Sequence, residues 1–371
     1  MKPLDSLRAE ELADLQAIGF DPDVFTRLVT DYLAGSFPPN RLSADVQPPP
    51  RGAVQRLAPA GSMQGDALVD AGHQLLQQGK VGLVVLNGGM ATRFGGRVKG
   101  VVDALPGRSF LALQAKRLKE LGDRWGASPP WMMMNSRATD RATMDHLVDH
   151  GFFGLEPGRV RSFLQSGAPR ISPQGEVVRQ DDGSLWIYGP GHGDLAPCMR
   201  GSGALRWARE LGVEILLMAN VDNLGASLDP AVIGHFAASG AEMMAELAPK
   251  NPGDVGGAPA AVDGRVQIVE GFAFPEGFDQ DSIPVFNTNT LWFRTDALER
   301  DFPMRWYAVD KQADGQPVVQ FERLVGQLSW FLETAWLEVP RSRFLPVKAP
   351  QDLQDLQPHL RSLFGTSLKV L

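Results

Sequence analysis

From residue 80 onward, short apolar runs alternate with amphipathic stretches that stop at glycine, and this alternation constrains the fold more than any other feature of the chain. Runs at 81–86, 131–134, 214–219, 242–248 and 290–293 have the length of buried strands. Stretches at 110–121, 139–150, 203–211 and 230–239 read as helices, each followed closely by glycine, the residue that ends helices in the left-handed conformation. Such βα units build a mainly parallel sheet with helices on its faces. The 371 residues, 43% of them hydrophobic, suffice for a large core. Residues 1 to about 35 read as one or two amphipathic helices, and the proline-rich stretch 37–52 as an extended linker; helix resumes near Gly65. Beyond the units, 321–336 reads as an amphipathic run of helix and 353–364 as a last short helix.

Charge and cysteine content remove several functional classes. A formal charge of -7, from 36 basic and 43 acidic residues, argues against a general nucleic-acid binder, which needs a basic surface to displace counterions. Cys198 is the only cysteine, so neither an intrachain disulfide nor a cysteine-based zinc cluster can form. The N-terminus alternates charge with Leu and Ala and lacks the apolar core of a signal peptide, and no run approaches 18 apolar residues. A cytoplasmic protein away from membranes is expected.

Four segments carry chemistry. Residues 86–96, LNGGMATRFGG, follow an apolar run and precede a helix, and in an open α/β sheet the loop at a strand's carboxyl end binds ligands. Gly88 and Gly89 let backbone N–H groups approach an anion, while Arg93 and Lys99 supply charge. The spelling is neither a Walker A sequence nor G-x-G-x-x-G, so neither a P-loop ATPase nor an NAD enzyme is the natural reading. The competing reading is a type I′ turn at Asn87-Gly88. Residues 218–230, MANVDNLGASLDP, put Asp222 after a strand, where one carboxylate suits Mg²⁺ that fills its other positions with water and phosphate oxygens. Asn220 and Asn223 would orient that carboxylate or touch a sugar, and an Asx-turn without metal is the alternative. In 188–205, YGPGHGDLAPCMRGSGAL, His192 is a donor for a phosphate or base carbonyl, or else a solvent-facing turn residue. In 339–353, VPRSRFLPVKAPQDL, strand-like alternation would carry Lys348 into a site, against the blander reading of an exposed basic edge.

Together with MNSRATDRAT (134–143), SFLQSGAPRI (162–171), AELAPKNPGDVGG (245–257), the Glu270 region and FNTNTLW (286–292), these segments resemble, in order, the UDP-sugar pyrophosphorylase family, specifically the eukaryotic-type UTP–glucose-1-phosphate uridylyltransferases. The resemblance runs from about Lys80 to Leu356. It implies an α/β fold with a Rossmann-like, GT-A-like nucleotidyltransferase core, a mixed sheet with flanking helices. It divides the chain into an N-terminal helical segment and Pro-rich linker at 1–78, a catalytic nucleotidyltransferase domain at 79–348, and a short C-terminal helical tail at 349–371. The family's C-terminal β-helix domain does not fit into that tail, so a monomer or small oligomer is expected.

The implied reaction joins UTP and a hexose 1-phosphate into UDP-sugar and pyrophosphate by direct attack on the α-phosphate, with Mg²⁺ as cofactor and no nucleic-acid or membrane partner. Carried over, Gly88, Gly89, Met134, Gln165 and His192 would bind the nucleotide, with Arg93, Lys99 and Lys348 as the catalytic cations. Asn220, Gly257, Glu270, Asn287 and Asn289 would contact the sugar, and Asp222 the metal. The glycine loop reads Met90-Ala91-Thr92-Arg93 where the family usually has Leu-Gly-Thr, its arginine closer to the N-acetylhexosamine branch, and Val98 stands where proline is usual. Gly191-His192-Gly193-Asp194 resembles the glucose branch, which makes glucose 1-phosphate the first choice of sugar. The alternatives are an N-acetylhexosamine or broad-specificity pyrophosphorylase, and a UDP-sugar-binding protein without catalysis.

Overall fold

A computed structural model describes residues 4–91, 94–251, 253–254 and 256–365. Eight strands form one large sheet. In chain order they are β1 (Val54–Arg56), β2 (Val81–Leu86), β3 (Trp131–Asn135), β4 (Val160–Leu164), β5 (Ile215–Asn220), β6 (Met243–Pro249), β7 (Val285–Arg294) and β8 (Thr334–Glu338). Their order in space is β1-β8-β6-β7-β5-β2-β3-β4. Only β7 runs antiparallel to its neighbours, so the sheet is mixed, as expected.

Strands β2, β3 and β5 are apolar almost throughout because helices cover both faces, and successive side chains divide between two cores. Val84, Met132, Leu216 and Met218 pack beneath the Leu195–Gly201 and Ala204–Glu210 helices. Leu83, Val85, Met133 and Leu217 pack on the opposite face, beneath the Phe110–Trp125, Pro230–Ser239 and Pro350–Phe364 helices. The helix ends obey the sequence: Ser109 caps Phe110–Trp125 by accepting from Ala112 N–H at 3.0 Å, and Gly126 closes it at φ 92°.

The N-terminal region forms two helices, Ala9–Ala17 and Pro22–Leu33, the second capped by Asp21, whose carboxylate accepts from Asp23 and Val24 N–H. The proline-rich stretch is extended, yet Val46–Gln47 pairs with Ala261 and Val262. The helix expected over 321–336 is corrected. Phe321 lies in the second strand of a hairpin of Tyr307–Ala313 with Gln316–Glu322, Val325–Trp330 is a 3₁₀ turn, and Thr334 starts β8. The three-residue spacing of Val325 and Leu328 suits a 3₁₀ turn as well as an α-helix, so periodicity alone cannot tell them apart. Strands β1 and β4 and the hairpin were beyond the pattern reading, being short or only half-buried. Among the described residues no helix is long and apolar enough to cross a membrane.

Candidate active site

Strands β5, β2, β3 and β4 are adjacent and parallel, so their carboxyl ends meet on one edge of the sheet. The antiparallel β7 begins on that edge, and the chain leaving β8 returns along it. A cleft of about 1310 Å³ opens there, built from the loops after these strands. It is large enough for a nucleotide and a second small substrate side by side.

Gly88, Gly89, Met134, Gln165 and His192 all line this cleft. Gln165 extends β4, its N–H donating to Asn135 carbonyl at 2.7 Å, and its side-chain amide lies between Gly88 and Gly189. A Cβ at Gly189 would collide with that amide, so glycine there is a matter of room. Gln165 Nε2 donates to Gly191 carbonyl at 2.7 Å, which fixes the amide and leaves Oε1 as its acceptor. Met132 and Met133 are core, whereas Met134 reaches the cleft wall.

The glycines around His192 serve packing. A Cβ at Gly191 or Gly193 would overlap the Arg323 backbone, and Gly193 N–H donates to Arg323 carbonyl at 2.9 Å. This close approach lets Val325 N–H donate to His192 Nδ1 at 2.9 Å. Nδ1 is therefore the acceptor nitrogen, and the ring proton sits on Nε2. Burial pushes the His192 pKa down to about 4, so the ring stays neutral at physiological pH and offers one N–H.

Lys99, Asp222 and Lys348 also line the cleft; Arg93 lies outside the described residues. Asp222, 7% exposed, follows β5, and its Oδ2 accepts from Lys99 Nζ at 2.5 Å and from Val347 N–H at 3.3 Å. Among the described residues no cluster of three or more His, Cys, Asp or Glu could cage a metal. One carboxylate fits a magnesium ion that draws its remaining ligands from water and phosphates, and does not fit a protein-caged metal.

Asn220, Asn287 and Asn289 face the cleft across the start of β7. There the pairing with β6 jumps: Leu247 pairs with Asn287 and Glu246 with Thr290, so Thr288 and Asn289 bulge from the ladder. Asn289 takes φ 56°, a left-handed conformation that asparagine tolerates, and its Nδ2 donates to Asn220 Oδ1 at 3.0 Å. Gly257 and Glu270 stand behind this wall. Gly257 carbonyl accepts from Asn287 N–H at 2.7 Å, and Glu270 packs against Gly257 and Gly326. Burial pushes the Glu270 carboxyl up to about 7.

Buried polar side chains behind the cleft brace its loops. Asp194, fully buried, accepts from Ser166 Oγ and pairs with Arg323, bracing the His192 turn. Arg323 lies in the run read as helix, so its approach to Gly193 was invisible. Asn87, fully buried, donates from Nδ2 to Asn135 Oδ1 and Thr143 Oγ1, both at 2.8 Å, and its N–H donates to Met134 carbonyl at 2.8 Å, so the chain continues the parallel ladder past β2 instead of turning into a hairpin. The basic-edge reading of 339–353 fails at Arg343, which is buried against Glu246.

Residues 23–370 match the family described as UTP–glucose-1-phosphate uridylyltransferase. The chain is 34% identical over 312 residues to a protein of that name from Hordeum vulgare, covering 80% of this chain and 65% of the relative. A second, from Astragalus penduliflorus, is 33% identical over 367 residues, covering 93% and 75%. The chain thus spans just under two thirds of the Hordeum vulgare relative's length. The crystal structure of the uridine diphosphate N-acetylglucosamine pyrophosphorylase from Trypanosoma brucei superimposes with a TM-score of 0.77 at 20% identity, covering 96% of this chain and 80% of that one.

Proposed function

Because this chain belongs to the UTP–glucose-1-phosphate uridylyltransferase family, we propose that it joins UTP and a hexose 1-phosphate, glucose 1-phosphate first among them, into a UDP-sugar and pyrophosphate. The observation that carries the reading is one cleft lined at once by a fixed glutamine amide, a Lys99–Asp222 pair with Lys348 nearby on the same wall, and a set of asparagine amides.

An oxygen of the sugar phosphate attacks the α-phosphorus, the bond from that phosphorus to the pyrophosphate oxygen breaks, and the electron pair leaves with pyrophosphate. The nucleophile is already anionic, so no general base is needed, and the task is to align two anions and neutralise the charge that gathers between them. Gln165 Oε1 accepts the N3–H of uracil; cytosine carries an acceptor there and is rejected. His192 supplies a neutral Nε2–H to a phosphate or base oxygen. Lys99, Lys348 and Arg93 balance phosphate charge, and Asn220, Asn287 and Asn289 offer donors and acceptors to sugar hydroxyls. Asp222 would hold Mg²⁺, which would supply positive charge against the phosphates.

The test is pyrophosphate release from UTP with glucose, galactose and N-acetylglucosamine 1-phosphates, with CTP, ATP and GTP as controls. Release with UTP and glucose 1-phosphate, abolished by chelation and restored by Mg²⁺, is expected. Turnover only with N-acetylglucosamine 1-phosphate would reassign the sugar. Silence from folded protein that binds UDP-glucose would overturn the catalytic reading.

A further inference from the structure

We propose that Arg343, locked to Glu246, is a positioning residue that sets Lys348 against Asp222, an inference that rests on the reading above for what those two groups do. The segment leaving β8 alternates. Phe344, Pro346 and Lys348 line the cleft, while Arg343, Leu345 and Val347 are buried behind it. Each buried position meets the loop after β5. Arg343 Nη1 and Nη2 donate to Ser227 Oγ and carbonyl at 3.2 and 3.1 Å, Leu345 N–H donates to Asn223 Oδ1 at 2.9 Å, and Val347 N–H reaches Asp222 Oδ2 at 3.3 Å. Asn223 closes the ladder by donating to Arg343 carbonyl at 3.2 Å. Two strips of chain that share no strand pairing are thereby held in register, and the next residue after the last rung is Lys348.

The anchor of this ladder is an ion pair. Arg343 Nε and Nη2 donate to the two oxygens of Glu246 at 2.7 and 2.6 Å, and Glu246 Oε1 also accepts from Trp292 Nε1 at 2.8 Å. Glu246 is fully buried. Burying two charges costs heavily in desolvation, and an uncharged pair of similar size often serves stability equally well. A planar guanidinium gripped at both edges does what an apolar residue cannot, since it fixes the rotation and register of the strip that carries it. The opposing loop is itself pinned from behind, because Gln114 Nε2 donates to Val221 carbonyl at 2.9 Å and Arg117 Nη1 to Leu224 carbonyl at 2.5 Å. Arg343 therefore orients Lys348 against a fixed reference.

The test uses the double variant Arg343→Met/Glu246→Gln, which removes both charges together and keeps an acceptor for Trp292. Hydrogen exchange of the full chain is expected to speed up about tenfold or more in peptides covering 343–348 and 222–227, with the rest of the sheet unchanged. UDP-glucose affinity should stay within about threefold, while kcat for pyrophosphate release falls on the order of 100-fold, the penalty of misplacing a group by about 1 Å. Wild-type exchange in both peptides together with wild-type kcat would overturn the proposal and leave the pair a packing element. Should the double variant not fold, Arg343→Lys keeps the charge and loses the fork, and the same two readouts decide. If the wild-type protein releases no pyrophosphate, the functional reading falls, whereas the exchange measurement still shows whether Arg343 holds the ladder.

Discussion

At the scale of single residues, the fold fixes protons and charges in the candidate site. Asp222 is held by Lys99 and by a backbone N–H, so its carboxylate has one defined orientation. Asp222→Asn keeps the shape and removes the charge, and it should lower kcat by on the order of 100-fold with little change in thermal midpoint, read by pyrophosphate release and calorimetry. Glu270 gives a pH signature. Its carboxyl is raised to about 7 by burial, above the ordinary value of 4.5, so the folded state holds a proton that the unfolded chain releases between pH 4.5 and 7. The contribution is then full below pH 4.5, is lost steadily as the pH rises from 4.5 to 7, and levels off above 7. Thermal melts should therefore show Glu270→Gln gaining on the wild-type protein from pH 5 to pH 8, and equal slopes for the two would remove the assignment. His192, neutral down to about pH 4, should add no inflection above pH 5.

At the scale of elements, the decisive feature is the irregularity at the start of β7. By the period-two rule Asn289 shares the face of Asn287, and continuing the β5–β7 register puts it opposite Asn220; the bulge, braced by Thr288 Oγ1 donating to Glu246 carbonyl at 2.8 Å, breaks the pairing with β6 there and gives Asn289 its left-handed backbone, while its Nδ2 meets Asn220. Asn289→Gly tolerates the left-handed backbone, so stability should stay within about 1 kcal/mol while KM for the sugar phosphate rises. Asn289→Val should cost stability as well, about 1–3 kcal/mol, since a β-branched residue is strained at that φ. Denaturant melts and steady-state kinetics on the pair separate backbone strain from lost hydrogen bonds. The close crossing of the Met63–Gln77 and Pro230–Ser239 helices, where Gly72 faces the Pro230 carbonyl and Gly234 the Leu68 carbonyl, is a second case in which an element's place depends on an absent side chain.

At the scale of the whole molecule, two cores cover the faces of the sheet and a third joins the N-terminal helices to the rest. Leu15, Phe25, Leu28 and Val29 pack against Ile171, Tyr188 and Phe321. Glu11 accepts two hydrogen bonds from Arg179 and one from Arg8 Nη2, which hold its carboxyl well below the usual carboxylate range, and Arg8 and Glu11 form part of the cleft wall. Removing residues 1–36 would take away Leu15, Phe25, Leu28 and Val29 and uncover Ile171 and Phe321 among others, apolar side chains each worth about 1.5–3 kcal/mol when buried. The truncated chain should melt several degrees lower and bind a hydrophobic dye, as read by differential scanning fluorimetry. An unchanged midpoint would mean that the third core contributes little.

The alternation of apolar runs and glycine-ended helices fixes the αβ units, because strand and helix periods and helix stops are local properties of the chain. Loop positions after strands were legible for Gly88 and Asp222, which fall where a parallel sheet gathers its carboxyl ends, whereas Gln165 came only from the family resemblance. Tertiary structure alone decided the remainder. The tautomer of His192 depends on Val325 N–H, the left-handed backbone of Asn289 on a bulge against β6, and the burial of Arg343 on Glu246, 97 residues away. Periodicity reports which face of an element is apolar, but a hydrogen bond between distant strips depends on where both backbones end up, and no window along the sequence contains both.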